Sequence, residues 1–487
     1  MNPILVVSIV ALYFGLLMII SYLVSKNTSE RSFYTGDRDS PWFLVAYGMI
    51  GASLSGVTFV SIPGMVGNNY FFYFQFVLGN IIGYIFIVFV LIPIYYKLKL
   101  VSIYTYLSTR FGNYSYKSGS FIFLVSQSFG AALRLLLAAK ILHYAIFEAY
   151  DIPFFLTVII IIILIWLYTN KSGIKTIVWT DTLQTTFLIL AAIVAIIVVK
   201  NSLGLSFSET INTIKQHEYS QIFNWDFKSG SNFFKQFISG ILIAIAMMGL
   251  DQNIMQKTLT CRSQRDSQKN ALVFSVILAI TQFLFLGLGV MLYVYAEKNG
   301  VVLEKENGLF INTDQLFPAL SLNNFGVFAS ITFILGITAA SFSSIDSALT
   351  ALTTSFTHDF LDIEHQNEKE KTRTKNKVLF GFSVIVFIII MLFSNSKGDI
   401  ISTIFKVAGY TYGPLLGLYL LGIFSKINIR DKFVPFICVI APITTYFLNY
   451  YFIDRFNFDF GFMNIFVNAG LTILLLILVK KNSYKNE

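Results

Sequence analysis

Cysteine and histidine are nearly missing: two cysteines, Cys261 and Cys438, and four histidines in 487 residues. Two cysteines cannot build a disulfide framework, and the histidines stand in no HExxH or CxxC spacing, so redox, haem and zinc chemistry are excluded as the basis of function. Charge is scarce as well. Asp, Glu, Lys and Arg make up 13% of the chain against 55% hydrophobic residues, where an ordinary soluble domain carries about 25% charged residues. With a mean hydropathy of +0.69, the chain belongs in a bilayer. The net charge of +9 calls for no nucleic acid, because the basic residues fall in short runs between apolar segments, where anionic lipid accounts for them.

Apolar runs of about 20 residues, the length that crosses a bilayer as a helix, fall near 3–24, 42–66, 70–96, 118–148, 152–169, 176–199, 236–256, 270–296, 324–356, 378–395, 400–423, 433–452 and 461–479. The sequence thus predicts an all-α, polytopic membrane protein of about 13 spans. The first run lacks a small-residue cleavage site and reads as a retained span rather than a signal peptide. Odd-numbered loops and the C-terminal tail hold 24 Lys and Arg, even-numbered loops 8. The positive-inside rule then puts the N-terminus outside and the C-terminus inside, in a cell (inner) membrane. The other three basic residues, Arg134, Lys140 and Lys406, lie within or at the edges of spans, where a charge needs a functional or snorkelling explanation. No stretch is long enough for a soluble catalytic module. His143, His217, His358 and His365 are placed away from Ser343, which argues against an intramembrane serine hydrolase.

The second span packs Gly48, Gly51, Gly56, Pro63 and Gly64 into one apolar segment. Helices interrupted at membrane depth are tolerated where freed carbonyls line a cavity or hold an ion, and such breaks point to a transporter's central site. Close packing through small residues is the plainer alternative. The seventh span carries Gly240 and Gly249 and ends in Asp251, Gln252 and Asn253. It lies five spans after the second, the spacing expected of two inverted repeats.

The ninth span is dense in hydroxyls, and Ala340, Ser343, Ser344 and Ser347 share one helical stripe. A small hard cation stripped of water needs several oxygen ligands, which Ser343 and Ser344 can supply together with carbonyls of an unwound helix. The same hydroxyls can instead bond their own helix. Asp181 stands inside the sixth span, where a carboxylate costs roughly 2.5–3.5 kcal/mol and calls for a partner: a cation, a proton or a basic residue such as Arg134. Asp346 is a second intramembrane acid, three residues beyond Ser343.

These motifs resemble the sodium/solute symporter family, with its sodium-coupled sugar, proline, sialic acid, monocarboxylate and iodide transporters. The resemblance is carried by Gly51 to Gly64, by Trp179, Thr180, Asp181, Thr182 and Gln184, by Gly249 to Leu259, by Ser343 and Ser344 through Asp359, and by Gly409, Gly413, Pro414 and Gly417. It implies a LeuT-like 5+5 inverted-repeat fold in a single transporter domain: an extra N-terminal helix (3–24), a first repeat (42–199), a second repeat (236–423) and extra C-terminal helices (433–479). It further implies a sodium site built from carbonyls of Gly51, Leu54 and Ala340 and hydroxyls of Ser343 and Ser344. A second cation site would use Asp181 with Ser343, Asp346 and Ser347. Asp346 departs from the family, where this position is small or hydroxyl-bearing, and that leaves the sodium stoichiometry open.

The solute is expected at mid-membrane beside the broken helix, with Ser55, Thr58, Gln75 and Arg134 as candidates and Phe71, Phe72 and Tyr73 as an aromatic wall. Arg134 is the informative residue, since a guanidinium forks onto a carboxylate. The expectation is a sodium-coupled importer of an organic anion such as a sugar acid or monocarboxylate. A neutral sugar or amino acid is the alternative within the class, and a non-transporting membrane sensor the alternative outside it. Sodium is the coupling ion; no other cofactor, no nucleic acid and no obligate protein partner is expected.

Overall fold

In lipid a backbone amide has no water to turn to, so a chain this apolar must satisfy its hydrogen bonds within helices. The computed structural model describes residues 3–25, 38–169, 174–361, 363, 366–395 and 400–481; His365 and the tail from 482 lie outside them. It begins with α1 (Pro3–Ser25), α2 (Trp42–Ser53) and α3 (Gly56–Asn69). Then α4 (Tyr73–Phe86) passes through a π turn into α5 (Ile92–Lys97), followed by α6 (Thr105–Arg110), α7 (Asn113–Leu142), α8 (Phe154–Thr169) and α9 (Ile174–Ser202). The polar stretch after α9 holds the short helix α10 (Phe207–Gln216), closed by a capping box between Ser206 and Glu209. Next come α11 (Phe233–Ala244), α12 (Gln252–Thr258) and α13 (Gln264–Lys298). A small hairpin, β1 (Lys305–Glu306) with β2 (Leu309–Phe310), leads to α14 (Leu316–Asn323). The chain closes with α15 (Gly326–Phe360), α16 (Glu368–Phe393), α17 (Ile400–Phe424), α18 (Val434–Phe456) and α19 (Asn464–Leu478).

Among the described residues, ten helices are long and apolar enough to cross a membrane, or eleven with the bent pair Phe233–Gly249 and Gln252–Thr258 counted as one. Trp42–Ser53 and Phe154–Leu167 are shorter apolar helices, and Gly56–Lys97 is a single apolar run, although the chain turns within it at Tyr70 (φ 52°). The molecule is apolar on its outside: Leu12, Leu392 and Leu478 are 80%, 75% and 78% exposed. Such side chains are a liability in water and are at home in lipid.

The interior is a large apolar core that also holds many buried polar side chains. Helix α15 is the centrepiece, buried from Ala339 to Ser355 and packed on α9, α7, α16 and both halves of the first broken helix. Helix α9 also packs on α2, and α11 lies along α4.

Candidate ion and solute site

Among the described residues two helices break within the molecule. The hydrogen-bond ladder of α2 ends with the Leu54 N–H on the Ile50 carbonyl, and that of α3 begins with the Phe59 N–H on the Ser55 carbonyl. Between them Leu54 (φ −81°, ψ 78°) and Ser55 (φ −67°, ψ 169°) leave the helical region. The carbonyls of Gly51 to Leu54 therefore fall between two ladders and lose their i+4 donors. Pro63 is not at the break; it is taken up inside α3. The second break follows α11: a π turn ends at Gly249, Leu250 and Asp251 leave the helix, and α12 sets off at 69°. The Asp251 side chain accepts from the Asn253 N–H at 2.8 Å and caps α12.

The first break lies against α15 and α9. A Cβ on Gly56 would fall 2.6 Å from Ser341 Oγ on α15, and one on Gly48 would fall 3.2 Å from Asp181 Cβ on α9. The Gly51 N–H donates to Thr185 Oγ1 at 2.8 Å. The start of α3 thus lies against α15 at Ser341, in the segment that carries Ala340, Ser343 and Ser344, all fully buried. The Ser344 hydroxyl donates to the Ser341 carbonyl at 3.0 Å, and the Ser343 hydroxyl donates to Asp181 Oδ1 at 2.5 Å. With their protons so placed, both hydroxyl oxygens keep lone pairs for a cation. The Ser343 and Ser344 hydroxyls are neutral and fully buried, the kind of oxygen a dehydrated cation takes.

Asp181 has a partner that its sequence neighbours do not disclose. Lys257 Nζ, at the end of α12, lies 2.6 Å from Asp181 Oδ2, both side chains 1% exposed. The same ammonium donates to Ser347 Oγ at 2.6 Å, and Ser347 donates on to Asp346 Oδ1 at 3.1 Å. The sequence reading left Lys257 one residue past its seventh span, among the loop charges; the break in α11–α12 instead turns it inward. Arg134, the basic residue the sequence offers to Asp181, stands elsewhere.

Arg134 projects from α7 into a small cavity of about 70 Å³. Ser53, Ser55 and Thr58 from the first break line it, with Asn80, Gln282, Met247, Tyr73, Phe76 and Phe405. Arg134 also borders a smaller crevice that leads to Tyr412. Among the described residues no carboxylate forms an ion pair with it. Asp251, bonded by the Tyr412 hydroxyl at 2.5 Å, lies within its electrostatic reach. Asn80 Oδ1 and Gln282 Oε1 are buried without a hydrogen-bond partner, so the cavity holds unmatched acceptors as well as the guanidinium.

Gln75 is outside this lining. Its amide donates to the Phe72 and Ser231 carbonyls, both at 3.0 Å, and accepts from the Asn224 N–H at 3.1 Å, which ties the segment after α10 to α4. The aromatic wall is made of Tyr73, Phe76 and Phe405; Phe71 packs on Phe283 and Phe72 on Tyr70. Sequence reasoning passed over Lys257, Asn80, Gln282 and Phe405. A lone amide within an apolar run was the available signal for Asn80 and Gln282; Phe405, among 50 phenylalanines, gave none.

The chain is 24% identical to the sodium/sialic acid symporter NanT of Aliivibrio fischeri, over 88% of its own length and 85% of that protein's. It is 22% identical to the human sodium/iodide cotransporter, over 80-odd per cent of its own length and 61% of that protein's (81% and 61%). Its fold matches a substrate-bound, outward-open Na+-coupled sialic acid symporter with a TM-score of 0.80 at 20% identity, covering 98% of each chain. It also matches Mhp1, a nucleobase-cation-symport-1 family transporter, with a TM-score of 0.54 at 12% identity, over 92% of this chain and 93% of that one. The sodium:solute symporter family model fits residues 33–431, and with it the chain belongs to that family, whose members are multi-pass membrane transporters and not enzymes.

Proposed function

We propose that the chain imports a small organic anion, a sugar acid or monocarboxylate, with sodium as the coupling ion, by alternating access in a cell (inner) membrane. The observation that carries this reading is Arg134, a guanidinium lining a cavity beside the first break with no carboxylate among the described residues paired to it. Such a group is complementary to a ligand carboxylate. The unmatched acceptors Asn80 Oδ1 and Gln282 Oε1 suit donor groups such as the hydroxyls of a sugar acid, and the apolar remainder, Met247, Phe76 and Phe405, suits its carbon skeleton. The relatives named for sialic acid, itself a sugar acid, agree with this choice.

The sodium ion is assigned to the carbonyls of Gly51, Leu54 and Ala340 with the hydroxyls of Ser343 and Ser344. Thirteen spans fit the two breaks, with 42–199 and 236–423 as inverted halves, 3–24 and 433–479 as additions, the N-terminus outside and the C-terminus inside. One observation favours a neutral solute instead: Asp251 lies in the field of Arg134 and is a built-in counter-charge. Uptake decides between the two. Proteoliposomes given an inward sodium gradient, then potassium in its place, are tested with labelled sugars, sugar acids, monocarboxylates and amino acids. Anion uptake should require sodium, weaken in Ser343→Ala and vanish in Arg134→Ala. Sodium-driven uptake of a neutral solute that survives Arg134→Ala would overturn the anion assignment.

A further inference from the structure

Ser343, Asp181, Lys257, Ser347 and Asp346 form one continuous chain of hydrogen bonds, and every member is at most 1% exposed. It joins three elements, α9, α12 and α15. The cationic member is a lysine, and it is held without slack. Gln252 anchors the start of α12 by accepting from the Ile103 N–H at 3.0 Å and donating to the Val101 carbonyl at 2.8 Å. Gln256 donates to Thr354 Oγ1 on α15 at 3.3 Å. A seven-residue helix pinned at both ends carries the Lys257 ammonium to the Asp181 carboxylate.

We propose that Lys257 stands in for a second sodium ion: its ammonium fills the cation position at Asp181 and Ser347 as a tethered charge, so that the chain binds one sodium ion and not two. This rests on the sodium-symport reading above. An ammonium and a sodium ion carry the same charge and seek the same oxygens, and Lys257 already takes Asp181 Oδ2 and Ser347 Oγ at 2.6 Å each. A second free cation would have to share those oxygens with it, in a dry region where like charges repel strongly. The two positions also communicate. Ser343 gives its only proton to Asp181 Oδ1, which leaves its oxygen lone pairs unused by that bond. Lys257 holds Asp181 in the orientation that receives that proton. Lys257 is thus a positioning residue for the first ion as well as a substitute for the second.

The test needs no knowledge of the solute. Equilibrium binding of 22Na+ to the purified full chain should count one ion per wild-type protein, without cooperativity. Lys257→Met leaves Asp181 buried without its counter-charge, and that variant should bind a second ion and melt higher in sodium chloride than in choline chloride. Adding Asp181→Asn to it should return the count to one and remove the extra salt stabilisation. Lys257→Gln serves as the second neutral variant, and Lys257→Arg should keep the count at one. Two ions bound by the wild type would overturn the proposal. So would a count that stays at one with unchanged affinity in both neutral variants. No sodium bound by the wild type or by either neutral variant would instead remove the sodium reading itself, and this inference with it.

Discussion

The crossing of α4 and α11 should tolerate no added atom. A Cβ on Gly79 would lie 2.1 Å from the Phe237 carbonyl oxygen, and one on Gly240 would lie 2.1 Å from the Phe76 carbonyl oxygen. Real Cβ atoms essentially never come within 3.0 Å of such neighbours, and both obstacles are backbone, so the helices would have to part by roughly 1 Å in an interior packed like a crystal. One turn further, a Cβ on Gly83 would meet Ala244 Cβ and the Ile241 oxygen at 2.6 Å each, so small residues four apart face each other on both helices. In lipid such a contact depends on van der Waals packing. Gly79→Ala and Gly240→Ala should each destabilise by about 1–3 kcal/mol. The double variant should cost less than the sum, because the first substitution already opens the gap that the second needs. Melting followed by fluorescence-detected size exclusion in detergent reads this out. Gly381→Ala and Gly470→Ala, whose added methyls meet nothing within 4 Å, are the controls. If Gly240→Ala melts with those controls, the close-packing account of α4 and α11 is wrong.

Two further predictions concern the ends of helices. The Asp431 carboxylate accepts from the Tyr114 and Ser115 N–H groups at 2.8 Å each and from the Ser115 hydroxyl at 2.5 Å, capping α7 from a distant part of the chain. Asp431→Ala should lower stability by about 1–2 kcal/mol, the upper range for a lost cap, read as a drop in melting temperature with Asp431→Asn in between. The Glu209 carboxylate is held below the usual carboxylate range by the Ser206 hydroxyl and the Ser206 backbone N–H. Its support of α10 is therefore complete above the ordinary glutamate value of about 4.3 and is lost as the pH falls through the lowered one. Protection of the Ser206 amide, which donates to that carboxylate at 2.7 Å, should fall relative to its intrinsic exchange rate on acidification toward that range, and Glu209→Gln should remove the pH dependence.

The breaks were legible because their cause is local. Glycines within an apolar run, and Asp251 at the end of another, conflict with a lipid-facing helix wherever the rest of the chain goes. What each glycine does was not legible: Gly240, read as part of the second break, serves the crossing with α4, while the break itself comes at Leu250 and Asp251. Lys257 was hidden by the rule that set the topology. Its charge and its place just past an apolar run fit a loop, and only the 69° bend brings it to Asp181. Periodicity put Ser343, Ser344 and Ser347 on one face of α15. It had no means of stating that Ser343 faces a carboxylate, which arrives from α9, 162 positions away. Gln75 shows the converse, a polar residue in an apolar segment that sequence reasoning takes for a ligand contact and that in fact ties down a loop.

The two proposals together fix how the transporter responds to voltage. One sodium ion moving through 100 mV gains about 2.3 kcal/mol, and a tenfold sodium gradient adds about 1.4 kcal/mol. A neutral solute carried with one sodium ion draws on both terms, roughly 3.7 kcal/mol or about 500-fold accumulation. A monovalent anion carried with one sodium ion moves no net charge, so the electrical term cancels and only the gradient is left, about tenfold accumulation for a tenfold gradient. Because Lys257 is tethered, its charge returns with the empty carrier and adds nothing to the net transfer over a cycle. Uptake of an anion in proteoliposomes should therefore accumulate to the same level with and without an inside-negative potassium diffusion potential. Accumulation that grows with the potential requires either a neutral solute or a second sodium ion. The 22Na+ count separates those two: one ion would point to a neutral solute and to Asp251 as the permanent partner of Arg134, and two ions would overturn the substitution of Lys257 for the second ion.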